Sequence, residues 1–436
     1  MNIRLRSPLS VQIEVTSQCT SKCIHCLNFW RNSGCDNIPS DIGALSVTDV
    51  ESIMYKLNDA GVFRVTVSGG EPLMNYPATL MCIKLAQSMG IVVGLNSNMV
   101  LLTKEMAVEM KRVGLNHILT SILGPNSEVH DKISSRRNSF DLLVGAIGVA
   151  HEAGLAVTAN MVVSQLNHNQ VRATAEVVSS LGIKSFIATK AGCPGNCFDF
   201  SQISPSQNQV VSFLNDLCWA KETLGLHVDT LESVPFCGLH GVKQPNLFTR
   251  RKCNGGATTM TVSYDGSVRP CAHLDESYGN LLSEDLETVW AKMASWSQAL
   301  RVPPECTSCE ILDECGGGCR MEAKMRTGKP NGTDPFARPD FVAEMSNKLY
   351  PQNSQPNETP ITLFRTSKFK LRHEGFGGVL ACGSTYVYLD HQGFAVVKQF
   401  EPKQIYDIGN NSIDWNRLDP QQFVSGLVHR RVVSSV

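Results

Sequence analysis

The sequence predicts an α/β protein whose first half is a partial (β/α)6 barrel of the TIM type, and three observations carry that prediction. Short β-rich runs alternate with longer amphipathic stretches from residue 10 to about 224. The stretches stop at glycine, as helices commonly do. No dinucleotide fingerprint follows the first run, which turns six βα units towards a partial barrel and away from a doubly wound sheet.

The runs are "VQIEV" at 11, "VFRVTVSGG" at 62, "IVVGL" at 91, "HILTSI" at 117, "LAVTANMVV" at 155 and "IKSFIAT" at 183. Between them "VTDVESIMYKLNDAG", "FDLLVGAIGVAHEAG" and "NQVRATAEVVSSLG" place apolar residues at helical spacing. Barrels of this kind keep their chemistry at the C-terminal ends of the strands. After about residue 225 the alternation fails, and a cysteine-rich segment from Cys237 to Cys319 contains a hairpin, "TTMTVSYDGSVRPCAH", turning at Asp265-Gly266. A helix, "LETVWAKMASWSQAL", follows. Residues 328–360 are rich in Pro, Asn and Ser and read as a linker. In "TYVYLD" and "FAVVKQF" the last stretch offers two strands, or a strand and a helix. The expected domains are 1–225, 226–335, a linker at 336–360, and 361–436.

With 436 residues and a formal charge of −1, the chain has room for two or three domains and shows no electrostatic footprint for nucleic acid or an anionic membrane. The opening "MNIRLRSPLSVQIEVT" lacks the apolar core of a signal peptide and no later run is long enough to span a bilayer, so a cytoplasmic protein is expected. Sixteen cysteines in a reducing compartment argue against a disulfide framework. Their clustering argues for metal, whereas isolated ones such as Cys35, Cys82 and Cys218 read as packing.

Cys19, Cys23 and Cys26, spaced C-x3-C-x2-C, lie directly after the first strand. A four-iron cube needs one ligand per iron, so three thiolates leave one iron open to a ligand from outside the protein. The competing reading is a zinc site completed from elsewhere, with His25 inside the motif. The second strand ends Ser68-Gly69-Gly70-Glu71, where two glycines permit close backbone approach and Glu71 supplies a carboxylate.

A three-cysteine loop after strand one and a GGE turn after strand two together resemble the radical S-adenosylmethionine (SAM) superfamily. The resemblance implies a 4Fe-4S cluster on Cys19, Cys23 and Cys26 whose open iron binds the amino and carboxylate groups of SAM. It implies SAM contacts at Ser68, Gly69, Gly70 and Glu71, with Asn96 in the run Asn96-Ser97-Asn98 and Ser121 towards the ribose. Arg136, or else Arg137, is implied for the carboxylate. Two positions depart from the family pattern: Leu123 stands where an Asp is usual, and His25 where an aromatic residue is usual.

"CTSCEILDECGGGC" spaces Cys306, Cys309, Cys315 and Cys319 as C-x2-C-x5-C-x3-C, downstream of Cys253 and Cys271. Alone, such spacing also suits zinc. After a radical SAM core it resembles the SPASM extension of peptide-modifying enzymes, which carries one or two auxiliary iron-sulfur clusters. The resemblance implies an inner cluster on Cys253, Cys271 and Cys319, with Cys237 as its fourth ligand, and an outer cluster on Cys306, Cys309 and Cys315. The cysteine that closes the outer site in the family is absent, and Ala337 stands about where it belongs. Asp334, Asp340, Cys382 or an open iron are the alternatives.

Residues 361–400 loosely resemble the small winged-helix domains that bind leader peptides of ribosomally made natural products; an ordinary packing domain is the alternative. Taken together, the resemblances imply a maturase of a ribosomally synthesised precursor peptide, forming side-chain crosslinks of the cyclophane (darobactin-type) kind and served by a reducing partner such as flavodoxin or ferredoxin. Thioether formation, epimerisation with an uncommitted cysteine, and formylglycine formation in a sulfatase stay open, and a zinc-holding regulatory module is the reading from a different class.

Overall fold

The computed structural model describes residues 5–28, 43–192, 200–296, 302–350, 363–383, 385–409, 413–415 and 418–435. They form two compact units, Ser7–Gln352 and Met1–Arg6 with Asn353–Val436.

The larger unit is built on a nine-stranded sheet. Strands β1 (Ser10–Glu14), β2 (Arg64–Ser68), β3 (Val92–Asn96), β4 (His117–Ser121), β5 (Ala156–Val163), β6 (Ser185–Lys190) and β7 (His227–Asp229) lie side by side in chain order, all parallel. Each expected run of the barrel is a strand. The seventh, three residues long, is too short to announce itself by periodicity. Helices cover the sheet, and side chains such as Val11, Ile13, Val65 and Ala159 have no exposure, as parallel strands buried on both faces require. Local chemistry starts the helices on time. Ser46 and Asp49 form a reciprocal capping box before Val47–Asp59, and Ser206 and Gln209 repeat it before Gln207–Leu224.

The hairpin forms as expected, with β8 (Thr259–Val262) and β9 (Val268–Arg269) antiparallel around Asp265-Gly266. Sequence pattern gave no hint of where it would dock. β8 pairs parallel to β1, Val11 opposite Met260, and so covers an edge that would otherwise expose unpaired backbone groups.

Two expectations need correction. The helix expected over "LETVWAKMASWSQAL" is α-helical only at Leu286–Lys292, tightens to a 3-10 turn at Met293–Trp296, and then leaves the described residues. The expected linker is ordered in its first part. A helix runs Val342–Leu349, Met345 is fully buried, Phe341 stacks on His240 at 3.7 Å, and Lys348 Nζ donates to the Val242 carbonyl at 2.8 Å. Pro and Asn shaped the linker reading, whereas a few apolar side chains with a groove to fill decided the structure.

The smaller unit holds two three-stranded antiparallel sheets. In one, β10 (Leu363–Thr366) lies between β14 (Ile405–Asp407) and β15 (Val433–Ser435); in the other, β12 (Gly377–Cys382) lies between β11 (Lys370–Glu374) and β13 (Thr385–Asp390). Helices His391–Val397 and Pro420–His429 complete it around Phe364, Val396 and Val424. "TYVYLD" is thus a strand and "FAVVKQF" is mostly helix.

Candidate functional site

The three-cysteine loop is fixed by the backbone around it. Lys22 and Ile24 donate their amides to the carbonyls of Ser134 and Ile133 at the end of helix Ser127–Ser134, and the Cys26 amide turns back to the Cys23 carbonyl. The cysteines stay half-exposed on this frame. Asn98, just past β3, donates through Nδ2 to Cys19 Sγ at 3.7 Å and to Thr20 Oγ1 at 3.0 Å. His25 is buried, and that burial first, with His130 nearby, lowers its pKa to about 4, so it sits beside the loop as a neutral ring.

The GGE turn runs against the same loop. The amides of Gly70 and Glu71 donate to the carbonyls of Thr16 and Gln18 at 2.7 and 2.6 Å. A Cβ on Gly70 would lie 2.0 Å from the Gln18 carbonyl oxygen, so only glycine admits this approach. Asn28, two residues past Cys26, donates Nδ2 to the Gly69 carbonyl at 2.9 Å. The Glu71 carboxylate faces inward and accepts from Ser97 Oγ, the Asn98 amide and the Leu73 amide at 2.7, 2.8 and 3.1 Å. Burial pushes its pKa up and these donors pull it back. Its side chain therefore ties the end of β2 to the end of β3.

Asn96 and Ser121 end β3 and β4, half-buried, at the same end of the sheet as Ser68. Arg136 donates Nη1 to the Thr20 carbonyl at 2.7 Å, while its buried Nε finds no partner among the described residues. Arg137 is exposed. Leu123 is buried, its amide on His130 Nδ1.

The cysteines from Cys237 to Cys319 form two sets. Cys253 is the neighbouring thiol that, after burial, pushes up Cys271 to about 11 and also raises Cys319. Cys306, Cys309, Cys315 and Cys237 instead line one cavity. This corrects the placing of Cys237 beside the inner set. The packing of Pro235–Leu239 against Phe336–Arg338 carries it to the outer one, with the Arg338 amide 3.1 Å from its Sγ. Asp334 is engaged on the inner side, accepting from the Cys319 amide at 2.7 Å. Asp340 is exposed, and Cys382 belongs to the other compact unit. The described cysteines form no disulfide, and no group of three or more His, Cys, Asp or Glu among the described residues converges on a single ion.

A family model described as the Radical SAM superfamily matches residues 13–178, and one described as an iron-sulfur cluster-binding domain, SPASM, matches residues 253–315. Mycofactocin maturase MftC of Mycobacterium tuberculosis is 30% identical over 341 residues, which is 76% of this chain and 83% of that protein. The chain belongs to the radical SAM/SPASM enzymes. An AdoMet-dependent heme synthase of Methanosarcina barkeri is 25% identical over 76% of this chain and 96% of its own length. A PqqA peptide cyclase of Rhizobium meliloti is 24% identical over 82% and 94%. Among solved structures, anSMEcpe with bound AdoMet shares the fold with a TM-score of 0.61 at 17% identity, over 78% of this chain and 97% of that one. Streptococcus suis SuiB bound to precursor peptide SuiA shares it with a TM-score of 0.58 at 18% identity, over 77% of each.

The radical SAM domain therefore binds a 4Fe-4S cluster and SAM, and the SPASM domain binds auxiliary iron-sulfur clusters. The residues fit these groups. Three half-exposed thiols converge on one loop, and the unpartnered Nε of Arg136 beside that loop is a donor awaiting an anion. Two features escaped sequence reasoning. Asn28 is a single polar residue near the cysteines, with no spacing rule to mark it. Lys190, ending β6, is 4% exposed and pairs with Glu322 at 2.9 Å and Glu232 at 3.9 Å, joining the radical SAM sheet to the SPASM helix that starts after Cys319. Burial works against its charge, and Glu322 then Glu232 outweigh that and keep it an ammonium. Only a lysine in an otherwise apolar strand end could have flagged it.

Proposed function

We propose that this radical SAM/SPASM enzyme acts on a ribosomally made precursor peptide and joins side chains within it. The reading is carried by the coexistence, in one compact unit, of the three-cysteine loop with two further cysteine sets. Relatives named as a maturase and a peptide cyclase, and a fold relative solved with a precursor peptide, support the substrate class.

When bound, the cluster and SAM supply a 5'-deoxyadenosyl radical that removes hydrogen from substrate. The chain positions and shields. Cys19, Cys23 and Cys26 would hold the cluster, with Asn98 donating to Cys19, and the unpartnered Arg136 Nε and the Gly69-Gly70 turn would hold the carboxylate and amino ends of SAM. Ser68, Asn96 and Ser121, at the same end of the sheet, would face the rest of it. A new bond between two side chains costs the substrate two hydrogens, one lost as an atom and the other as a proton and an electron; the SPASM cysteines would hold the auxiliary clusters that supply an acceptor for that electron.

The proposed domains are 1–225 for the radical SAM core, 226–335 for the SPASM region and 361–436 for leader recognition. In the last, β13 pairs only with β12 among the described residues, which leaves an edge where an extended leader can add as a strand. No described helix is long and apolar enough to cross a membrane. A cytoplasmic setting with flavodoxin or ferredoxin as reductant completes the proposal.

Of the six uncommitted thiols, Cys82 and Cys218 are core residues with no exposure, closed off from any substrate, Cys382 is half-exposed, and Cys35, Cys193 and Cys197 lie outside the described residues. The test is co-expression with a candidate precursor peptide from a short open reading frame near the gene, followed by mass spectrometry. Loss of two hydrogens per site is the expected result, and a product of unchanged mass replaces crosslinking with epimerisation.

A further inference from the structure

We propose that Cys237 is the fourth ligand of the outer auxiliary cluster, which is thereby closed by four thiolates with a ligand drawn from outside the C-x2-C-x5-C-x3-C run. The assignment needs cluster binding by the SPASM domain and is independent of the substrate.

Cys237, Cys306, Cys309 and Cys315 open into one cavity, whose other walls include Pro235, Glu305, Ile311, Leu312 and Ala337. Glu305 is hydrogen-bonded to Thr333, and four thiols match the four corners of a cube.

Two backbone amides are aimed at sulfur. Arg338 donates to Cys237 Sγ at 3.1 Å, and Phe236, one residue before Cys237, donates to Cys315 Sγ at 3.3 Å. Amides pointed at thiolates are the hydrogen bonds that steady cluster ligands and set cluster potential. The segment is also held in register. Gln207 Nε2 donates to the Gly238 carbonyl at 2.8 Å, and a Cβ at Gly238 would lie 2.3 Å from the Phe336 carbonyl oxygen. Residues 235–239 thus press on 336–338 along their backbones, and Cys237 and Ala337 face the same cavity. A thiol supplied at 237 does what a thiol at 337 would do.

The test is iron and sulfide content with Mössbauer spectra on anaerobically reconstituted full-length protein. Cys237→Ala is expected to lose iron, up to one cluster's share, while Cys82→Ala keeps the wild-type complement. Adding Ala337→Cys to Cys237→Ala is expected to restore the iron and the spectrum, which a variant that had merely misfolded would not do. In a Cys253→Ala background, which lacks the inner cluster, Cys237→Ala should remove further iron. An unchanged spectrum in Cys237→Ala, or no further loss in the Cys253→Ala background, overturns the assignment. Wild-type protein that takes up no iron sinks cluster binding itself, a distinguishable result.

Discussion

Glu14, the last residue of β1, and Arg269, the last residue of β9, form an ion pair in the interior, with side chains 0% and 2% exposed. The pair reaches further than its two charges. Ser263 Oγ donates to the same carboxylate oxygen at 3.1 Å, and Arg269 Nη1 donates to the carbonyls of Ala272 and Leu274 at 3.2 and 2.9 Å. The turn that carries Cys271 is therefore anchored to the first strand of the radical SAM sheet. Removing one member of a buried pair strands the other charge, so Arg269→Met is expected to lower unfolding free energy by about 3–5 kcal/mol. Glu14→Met with Arg269→Met should recover most of that in denaturant melts. It should not restore inner-cluster iron, because the carbonyl contacts around Cys271 stay lost.

At the GGE turn, shape and charge separate. Gly70→Ala forces a Cβ into the Gln18 carbonyl and displaces the cysteine loop, an overpacking cost of about 1–3 kcal/mol. SAM affinity by calorimetry should fall at least tenfold. Glu71→Gln keeps the shape but weakens the link to Ser97 and Asn98, and a smaller loss is expected.

Cys23→Ala is expected to abolish 5'-deoxyadenosine formation, measured by liquid chromatography under reducing conditions. Cys309→Ala should retain part of that cleavage yet yield no modified peptide. Deoxyadenosine from Cys23→Ala would remove the loop from the mechanism.

His130 makes stability depend on pH. Burial lowers its pKa from 6.5 to about 4, while its Nδ1 accepts from the Leu123 amide. The unfolded chain thus binds more protons between those values, and stability is lost as pH falls from 6.5 towards 4. At 1.36 kcal/mol per unit the contribution reaches about 3 kcal/mol. Thermal midpoints of His130→Gln should fall less steeply with acid than those of the wild type.

In the smaller unit, Phe376-Gly377-Gly378 is where β12 meets its neighbours. A Cβ on Gly378 would lie 2.1 Å from the Phe394 ring, and Gly377 has φ +136 with its Cβ position 2.3 Å from Asp390. Gly378→Ala is expected to loosen this unit and weaken leader binding by fluorescence anisotropy at least tenfold, while basal SAM cleavage is unchanged.

Much of this protein was written locally. C-x3-C-x2-C after a strand, glycines at the next strand end and helical spacing between them are relations over a few residues, and the covalent chain enforces those wherever it folds. The strands, the SAM-cluster loop and the two cysteine-rich segments could therefore be read directly. Partnerships over long separations could not. β8 found the edge of β1, Arg269 found Glu14, Lys190 found Glu322, and Cys237 joined Cys306, Cys309 and Cys315 and not the set nearer the barrel. Each depends on which surfaces are left uncovered once the sheet has formed, and that is settled by packing and desolvation over the whole unit. Three cysteines within eight residues announce a place for SAM wherever the chain folds, whereas Cys237 reaches the cavity of Cys306, Cys309 and Cys315 through a backbone contact at Arg338 that no local pattern encodes.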